Sequence, residues 1–269
     1  MTSSLAAPAP TTFAEPASDT PAPGRLDGAT IAFDLDGTLV NTAPDLVGAL
    51  NVVLGERGLP HVLQEAAGYL VGKGARALIT RGFALAGEPL REEEVAGLVV
   101  RFVEAYRARI ASESRPYPGL EAALQSLAEA GATLCVCTNK RTDLSLALLD
   151  ALGLTGRFAA VTGADRAPAP KPDPSHFLVS IAEADGDPAY AVLVGDSAND
   201  VRSAHAAGAP VVVVSFGYTD IPPSELGGDA LIDRFDELPV AVETILAGLR
   251  QTRSRALPGP EASAIDPLS

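Results

Sequence analysis

Asp34 and Asp36 stand two residues apart at the end of a short apolar run, Ile31-Ala32-Phe33, and are followed at once by Gly37 and Thr38. An apolar run of that length meeting Asp and Gly predicts a buried strand of a parallel sheet. While the strand lasts, the i, i+2 spacing puts both carboxylates on one side of it, at its carboxyl end, where open α/β sheets bind ligands. Two like charges held together repel unless a cation or a proton divides them, so a divalent metal is their natural companion. Gly37 permits a tight turn and leaves the Thr38 hydroxyl free to bond a phosphate oxygen. Taken alone, the stretch also fits an acidic turn with a capping role.

Two further strands end in polar groups of the same kind. The apolar run 132–137 opens into Thr138-Asn139, and the run 190–194 opens into Gly195-Asp196-Ser197-Ala198-Asn199-Asp200. Taken singly, Thr138-Asn139 could cap the next helix, and Asp196 with Asp200 could be an N-cap and a first-turn acid. Connections in a parallel sheet bring such strand ends together, and coincidence at all three is the weaker explanation. Lys171 lies in Pro170-Lys171-Pro172-Asp173-Pro174, stiffened on both sides by proline. It is either a solvated charge or a cation held in place, and the carboxylates assembled beside it favour the second, since a fixed cation would neutralise them and an incoming phosphate.

The elements that must position these groups follow from periodicity. A helix begins near Asn41-Thr42-Ala43-Pro44, which supply its cap and first turn, with Leu46, Leu50, Val53 and Leu54 on one face. From there to about Arg115 no strand is expected. Val95, Leu98, Val99, Phe102, Val103, Tyr106 and Ile110 recur at three- and four-residue steps, the signature of an amphipathic helix within a bundle. Beyond the break at Pro116-Tyr117-Pro118-Gly119, helices at 119–130, 142–152, 174–184, 199–207 and 238–249 alternate with strands at 132–137, 158–162, 190–194, 211–214 and 230–232. That alternation predicts a doubly wound parallel sheet of the α/β class. The domains expected are an α/β core at 25–43 and 116–250, a helical insertion at 44–115, and disordered tails at 1–24 and 251–269, rich in small residues and proline.

Composition narrows the partners. The 269 residues are 47% hydrophobic, enough for well-buried cores, yet no run approaches the roughly 20 apolar residues of a membrane span. A formal net charge of −14 repels nucleic acid and anionic lipid, so an anionic substrate needs a locally positive pocket or a bound metal. Residues 1–24 carry no Lys or Arg and no unbroken apolar core, which fits neither a secretory signal nor a transit peptide. Cys135 and Cys137 are the only cysteines, and as i, i+2 strand neighbours about 6.5 Å apart they read as buried reduced thiols in a cytoplasmic protein. His61, His176 and His205 have no place in the pattern and read as ordinary surface or helix residues.

Asp34-Leu35-Asp36-Gly37-Thr38, Thr138-Asn139, Lys171-Pro172 and Gly195 to Asp200, in that order, resemble the four hallmark segments of the haloacid dehalogenase superfamily. The insertion after the first segment resembles the α-helical cap of its phosphatase branch. Val71 to Ile79 and Gly217-Tyr218-Thr219 resemble the bacterial phosphoglycolate phosphatases in particular. One departure is Asn41, where the family commonly has Asp.

The resemblance implies a Rossmann-like sheet with an inserted cap and a Mg2+-dependent phosphomonoester hydrolase. Asp34 would attack phosphorus to give an aspartyl-phosphate, and Asp36 would protonate the leaving oxygen and then deprotonate water. Mg2+ would be held by Asp34, the Asp36 carbonyl and Asp196, with Asp200 behind them. Thr138, the Asn139 amide and Lys171 would hold the phosphoryl oxygens. These roles are chemically coherent, because a carboxylate attacks a dianion only when a metal and a lysine cancel the repulsion. Lys73 and Arg76, flanked by Gly72 and Gly74, are expected either to reach over the site and bind the carboxylate of 2-phosphoglycolate or to be solvated side chains on a helix. The partner is therefore a small phosphate ester, with no nucleic acid or membrane, and the chain a monomer or homodimer. The alternatives are another phosphatase, acting on a sugar phosphate or nucleotide, a β-phosphoglucomutase-like mutase, and, outside enzymes, a receiver-type phospho-acceptor domain.

Overall fold

The computed structural model describes residues 24–66 and 70–256. In chain order its strands are β1 (Thr30–Phe33), β2 (Val40–Asn41), β3 (Arg115–Pro116), β4 (Thr133–Thr138), β5 (Ala160–Gly163), β6 (Ala191–Gly195), β7 (Val211–Val214) and β8 (Ala230–Ile232). Its α-helices are α1 (Ala43–Glu56), α2 (Gly74–Leu85), α3 (Glu92–Arg107), α4 (Leu120–Glu129), α5 (Thr142–Ala151), α6 (Pro174–Glu183), α7 (Ala198–Ala206) and α8 (Leu238–Ala256). Of the tail expected at 1–24 only Gly24 is described. Of the tail expected at 251–269, residues 251–256 instead continue α8, and 257–269 lie outside the described residues. Among the described residues no helix is long and apolar enough to cross a membrane.

Six strands form one parallel sheet in the order β5-β4-β1-β6-β7-β8. Alternation along each strand divides the apolar side chains between two layers. Ile31 and Phe33 of β1, Val192 and Val194 of β6, and Val212 and Val214 of β7 face α4, α5 and α8. Ala32, Cys135, Cys137, Leu193, Val211 and Val213 face α6 and α7 on the other side, and both cysteines are buried free thiols. β1 sits between β4 and β6, with Phe33 in register with Val136 and Val194. The chain builds outward from β1 through β4 and β5, then crosses to β6 on the opposite side. The carboxyl ends of β1, β4 and β6 thus meet at a topological switch point.

The helical segment between β2 and β3 has its own apolar cluster, built from Leu46, Leu50 and Val53 of α1, Ile79 and Phe83 of α2, and Phe102 and Tyr106 of α3. Gly82 lets α2 lie against α1, since a Cβ there would stand 2.5 Å from a Leu50 methyl. Helix α3 stops at Arg107, so Ile110, the last residue of the expected stripe, packs from the turn beyond it. The chain leaves the sheet domain through β2 and returns through β3, which pair antiparallel as Val40 with Pro116 and Asn41 with Arg115. No strand is expected at 115–116, because a two-residue strand has no periodicity to read.

Two polar devices fasten this junction. The first amide of α1 donates not to Thr42, whose hydroxyl is buried and unpartnered, but to the Tyr218 hydroxyl at 2.9 Å, which in turn donates to Asn41. Asp45, fully buried one turn into α1, accepts from the Ser114 amide at 2.8 Å, the Ser114 hydroxyl at 2.7 Å, the Glu113 amide at 3.0 Å and Arg109 at 3.2 Å. Burial works against its charge, but the bonds from Ser114, Glu113 and Arg109 outweigh it and hold the carboxyl below the usual range. Asp45→Ala strands the buried amide and hydroxyl of Ser114 and the half-buried Glu113 amide, and is expected to cost about 3 kcal/mol. The measurement is denaturant unfolding; a midpoint within error of the parent would refute the assignment.

Candidate active site

Strand β1 ends at Phe33, so Asp34 and Asp36 lie in the turn beyond it and not on one face of a strand. Strand alternation therefore does not hold the two side chains together, and they part company. Asp34 turns to Lys171, whose Nζ is 3.0 Å from its Oδ1, while both oxygens of Asp36 meet the Lys140 ammonium at 2.7 and 2.8 Å. Gly37 makes the turn possible twice over. Its φ is +87°, and a Cβ there would stand 2.3 Å from an Asp196 oxygen.

Asp196 follows β6 and Asp200 lies in the first turn of α7. One carboxylate oxygen from each of Asp34, Asp196 and Asp200 lies within 4.8 Å of the others, and all three residues are buried. Asp200 accepts from Lys171 Nζ at 2.6 Å through Oδ1 and from the Ser197 amide and hydroxyl at 3.0 and 2.6 Å through Oδ2. It is thus both the acid of the α7 capping box and a partner of the buried lysine, so the capping reading and the site reading hold together. Asp196 accepts one bond on each oxygen, from the Thr38 hydroxyl at 3.1 Å and the Tyr218 amide at 2.6 Å.

This arrangement corrects the expectation for Thr38. Its hydroxyl is fully buried and given to Asp196, so Thr38 orients a carboxylate and does not stand free for a phosphate oxygen. Tyr218 ties the site to the helical segment: its amide holds Asp196 while its hydroxyl caps α1.

Lys171 keeps its ammonium inside the site: Nζ donates to Asp200 and to the Cys137 carbonyl, both at 2.6 Å, and lies 3.0 Å from Asp34 Oδ1 as an ion pair. Burial works against its charge, but Asp200 and Asp34 outweigh it and keep the amine protonated. The loop carrying it is clamped by Asn139, whose side chain donates to the Lys171 carbonyl and accepts from the Lys171 amide, both at 2.9 Å. Asn139 and Thr138 do not cap α5; the amide and hydroxyl of Thr142 go to Asp165 instead. The Thr138 hydroxyl accepts from the Lys140 amide at 3.2 Å and faces the cavity.

Burial pushes the Asp34 carboxyl up to about 6, with Lys171 opposing and Asp200 and Asp36 adding to the rise. Burial also drives Asp196 well above the usual range, helped by the charges of Asp34 and Asp200. Three carboxylates around one ammonium leave excess negative charge in a buried site, which a hard divalent cation would relieve. The donors are all oxygens, and those of Asp196 keep lone pairs beyond the bonds they accept, as such an ion requires.

The site opens into a cavity between the sheet and the helical segment. Asp34, Asp36, Thr138, Asn139, Lys140 and Arg141 line its sheet side, and apolar residues such as Leu46, Leu78 and Phe102 line much of the other. Lys73 and Arg76 are not on the lining. Lys73, at the N-cap of α2, gives its ammonium to Asp220 at 2.7 Å, and Arg76 pairs with Glu92. Exposed acids pair with both, which fits the second of the two expectations, solvated basic side chains on a helix. The cation that sequence reasoning missed is Lys140, signalled only by its place directly after Thr138-Asn139. His176 is a buried helix residue whose Nε2 meets the Thr162 carbonyl at 3.1 Å, and His205 pairs with Asp229 at 3.0 Å.

Comparison with known proteins agrees with this geometry. The haloacid dehalogenase-like hydrolase family profile matches residues 31–214, a span that holds every residue of the acidic cluster and Lys171. A phosphoglycolate phosphatase of Caulobacter vibrioides is 55% identical over 221 residues, 82% of this chain and 93% of that one. One of Agrobacterium fabrum is 48% identical over 210 residues, 78% of this chain and 90% of that one. Among solved structures, one from Haemophilus somnus described as a predicted phosphoglycolate phosphatase superposes with a TM-score of 0.72 at 31% identity, covering 78% of this chain and 96% of the other. By family profile and by relatives alike, the chain belongs to the haloacid dehalogenase-like hydrolase family.

Proposed function

We propose that this hydrolase is a Mg2+-dependent phosphatase of 2-phosphoglycolate that works through an aspartyl-phosphate on Asp34. The observation that carries the reading is the placement of Asp34 on the cavity lining, one oxygen on the Lys171 ammonium and the carboxylates of Asp196 and Asp200 beside it. The choice of ester rests on the relatives named phosphoglycolate phosphatase at up to 55% identity.

Asp34 Oδ attacks phosphorus, and the bond from phosphorus to the ester oxygen breaks. Asp36 gives a proton to that oxygen, releasing the alcohol. Water then attacks the phosphorus of the acyl phosphate, its proton passes to Asp36, and the bond to Asp34 breaks to release inorganic phosphate. Lys171 stays charged throughout and offsets the phosphoryl oxygens, and the Thr138 hydroxyl, which accepts from Lys140, keeps its own proton for one of them. Asp34, Asp196 and the Asp36 carbonyl would hold Mg2+, with Asp200 behind them, and the ion would supply charge neutralisation at phosphorus. The helical segment 44–115 acts as a cap that excludes water. The buried free thiols Cys135 and Cys137 suit a reducing, cytoplasmic setting.

The test is release of inorganic phosphate and glycolate from 2-phosphoglycolate by the purified chain. Turnover is expected with millimolar MgCl2 and at least about 100-fold less after EDTA. Turnover unchanged by EDTA, or hydrolysis of sugar phosphates and nucleotides with none of phosphoglycolate, would overturn the reading. An isomerised sugar phosphate formed without free phosphate would point to a mutase and overturn it as well.

A further inference from the structure

Lys140 is a buried cation that faces the cavity and not the carboxylate cluster. Its side chain is 5% exposed, both oxygens of Asp36 lie within 2.8 Å of its Nζ, and the Tyr106 ring centroid is 4.7 Å away. A lysine is rarely kept this deep without a charged task. Tyr106 also lines the cavity; its ring stacks on Phe102 at 6.2 Å, and its hydroxyl is buried beside the Lys140 ammonium with no acceptor for its proton. A buried hydroxyl proton without an acceptor is costly unless a ligand supplies one. Arg141 is the other cation on the lining, but its side chain is 57% exposed and its Nε donates to Asp143 at 3.1 Å.

The ester oxygen that Asp36 protonates must lie within hydrogen-bond distance of the Asp36 carboxyl, about 2.7 Å. In the ester of a 2-hydroxy acid the carboxylate carbon is two bonds further on, about 2.5 Å from that oxygen. An ammonium already touching Asp36 is therefore within reach of such a carboxylate, whereas Lys73 and Arg76 are engaged elsewhere. We propose that Lys140 is the specificity-determining residue of the site, binding the carboxylate of a phosphorylated 2-hydroxy acid, with the Tyr106 hydroxyl donating a second hydrogen bond. This rests on the phosphatase reading above and names the leaving groups it accepts: small alcohols with an anion on the carbon next to the ester carbon. The apolar wall beyond, with Leu46, Leu78 and Phe102, offers a sugar ring no polar partners.

The experiment compares kcat/KM for 2-phosphoglycolate, its carboxyl methyl ester and ethyl phosphate, with Mg2+ present, in the parent chain, Lys140→Met and Tyr106→Phe. The parent is expected to prefer 2-phosphoglycolate over both uncharged esters by about 100-fold or more. Lys140→Met disturbs Asp36 as well, so the readout is the ratio: its loss on 2-phosphoglycolate should exceed its loss on ethyl phosphate by at least about 30-fold. Tyr106→Phe, which keeps the stacked ring, should lower the preference about 5-fold, mostly through KM. Equal losses on the two esters in Lys140→Met would overturn the proposal and leave the phosphatase reading intact, because Lys140 would then act only through Asp36. Should Lys140→Met not fold, an undiminished preference in Tyr106→Phe, or a parent chain that takes the methyl ester as readily as the acid, would overturn it equally. Absence of 2-phosphoglycolate turnover in the parent, with ethyl phosphate still hydrolysed, would remove both the proposal and the ester assignment.

Discussion

Asp34→Asn is expected to lower kcat for ester hydrolysis by about 10⁴-fold or more while raising the unfolding temperature of the metal-free chain. The loss follows from the proposed mechanism, in which no other carboxylate is placed to form the acyl phosphate. The gain follows from electrostatics. Burial lifts the folded-state pKa of Asp34 to about 6 against an ordinary value near 4, a net rise that already includes the opposing pull of Lys171. A carboxyl with a raised folded pKa binds its proton more tightly in the native state, so its cost is absent at low pH, develops between about pH 4 and 6, and is constant above. Asn carries no such cost. The stability difference between variant and parent should therefore grow by a few kcal/mol over that interval and then level off. Added Mg2+ should stabilise the parent more than the variant, because the variant has lost a ligand. Urea titrations from pH 4 to 8 with and without Mg2+ read all three effects; a difference that is flat with pH would contradict the buried-charge account.

Lys171→Met is expected to fail in both stability and turnover. Asp200 and Asp34 lie 2.6 and 3.0 Å from its Nζ, so the substitution leaves two buried carboxylates without their cation. Breaking a buried pair by removing one partner costs about 3–5 kcal/mol, which for a domain of this size is roughly a 10 °C fall in Tm. The kcat should fall about 10³-fold, since the ammonium offsets repulsion between Asp34 and the phosphoryl group. Adding Asp200→Asn to Lys171→Met removes one of the stranded charges and should restore part of the Tm without restoring turnover. Calorimetry and phosphate release on the two proteins decide the matter. A Lys171→Met protein as stable as the parent would mean that Lys171 does not hold the cluster together.

Asp34, Lys171, Asp196 and Asp200 were legible as a group because each sits beside a strand, turn or proline signal that chain-local physics determines. Strand ends in a parallel sheet converge whatever the loops do. Thr38 misled because its neighbours in sequence say nothing of Asp196, 158 residues away, which takes its hydroxyl. Lys73 and Arg76 stayed open between two readings for a related reason: glycines on either side allowed access, but exposed partners at Asp220 and Glu92 decide where the charges rest. Tyr106 reads as one more apolar residue of a helical stripe, and only its place opposite Lys140 turns its hydroxyl into a group of the cavity.

By itself, then, the order of residues determined the alternation of strands and helices, the layer each side chain of the sheet enters, and the set of acids and the lysine at the strand ends, because these depend on periodicity and turn chemistry along a few residues. Tertiary structure alone decided that the Thr38 hydroxyl serves Asp196, that Asn139 clamps the lysine loop, that Tyr218 closes α1, and that the cation facing the cavity is Lys140. Each of those is a contact between groups 32 or more residues apart, whose geometry follows only once the sheet and the helical segment have packed against one another.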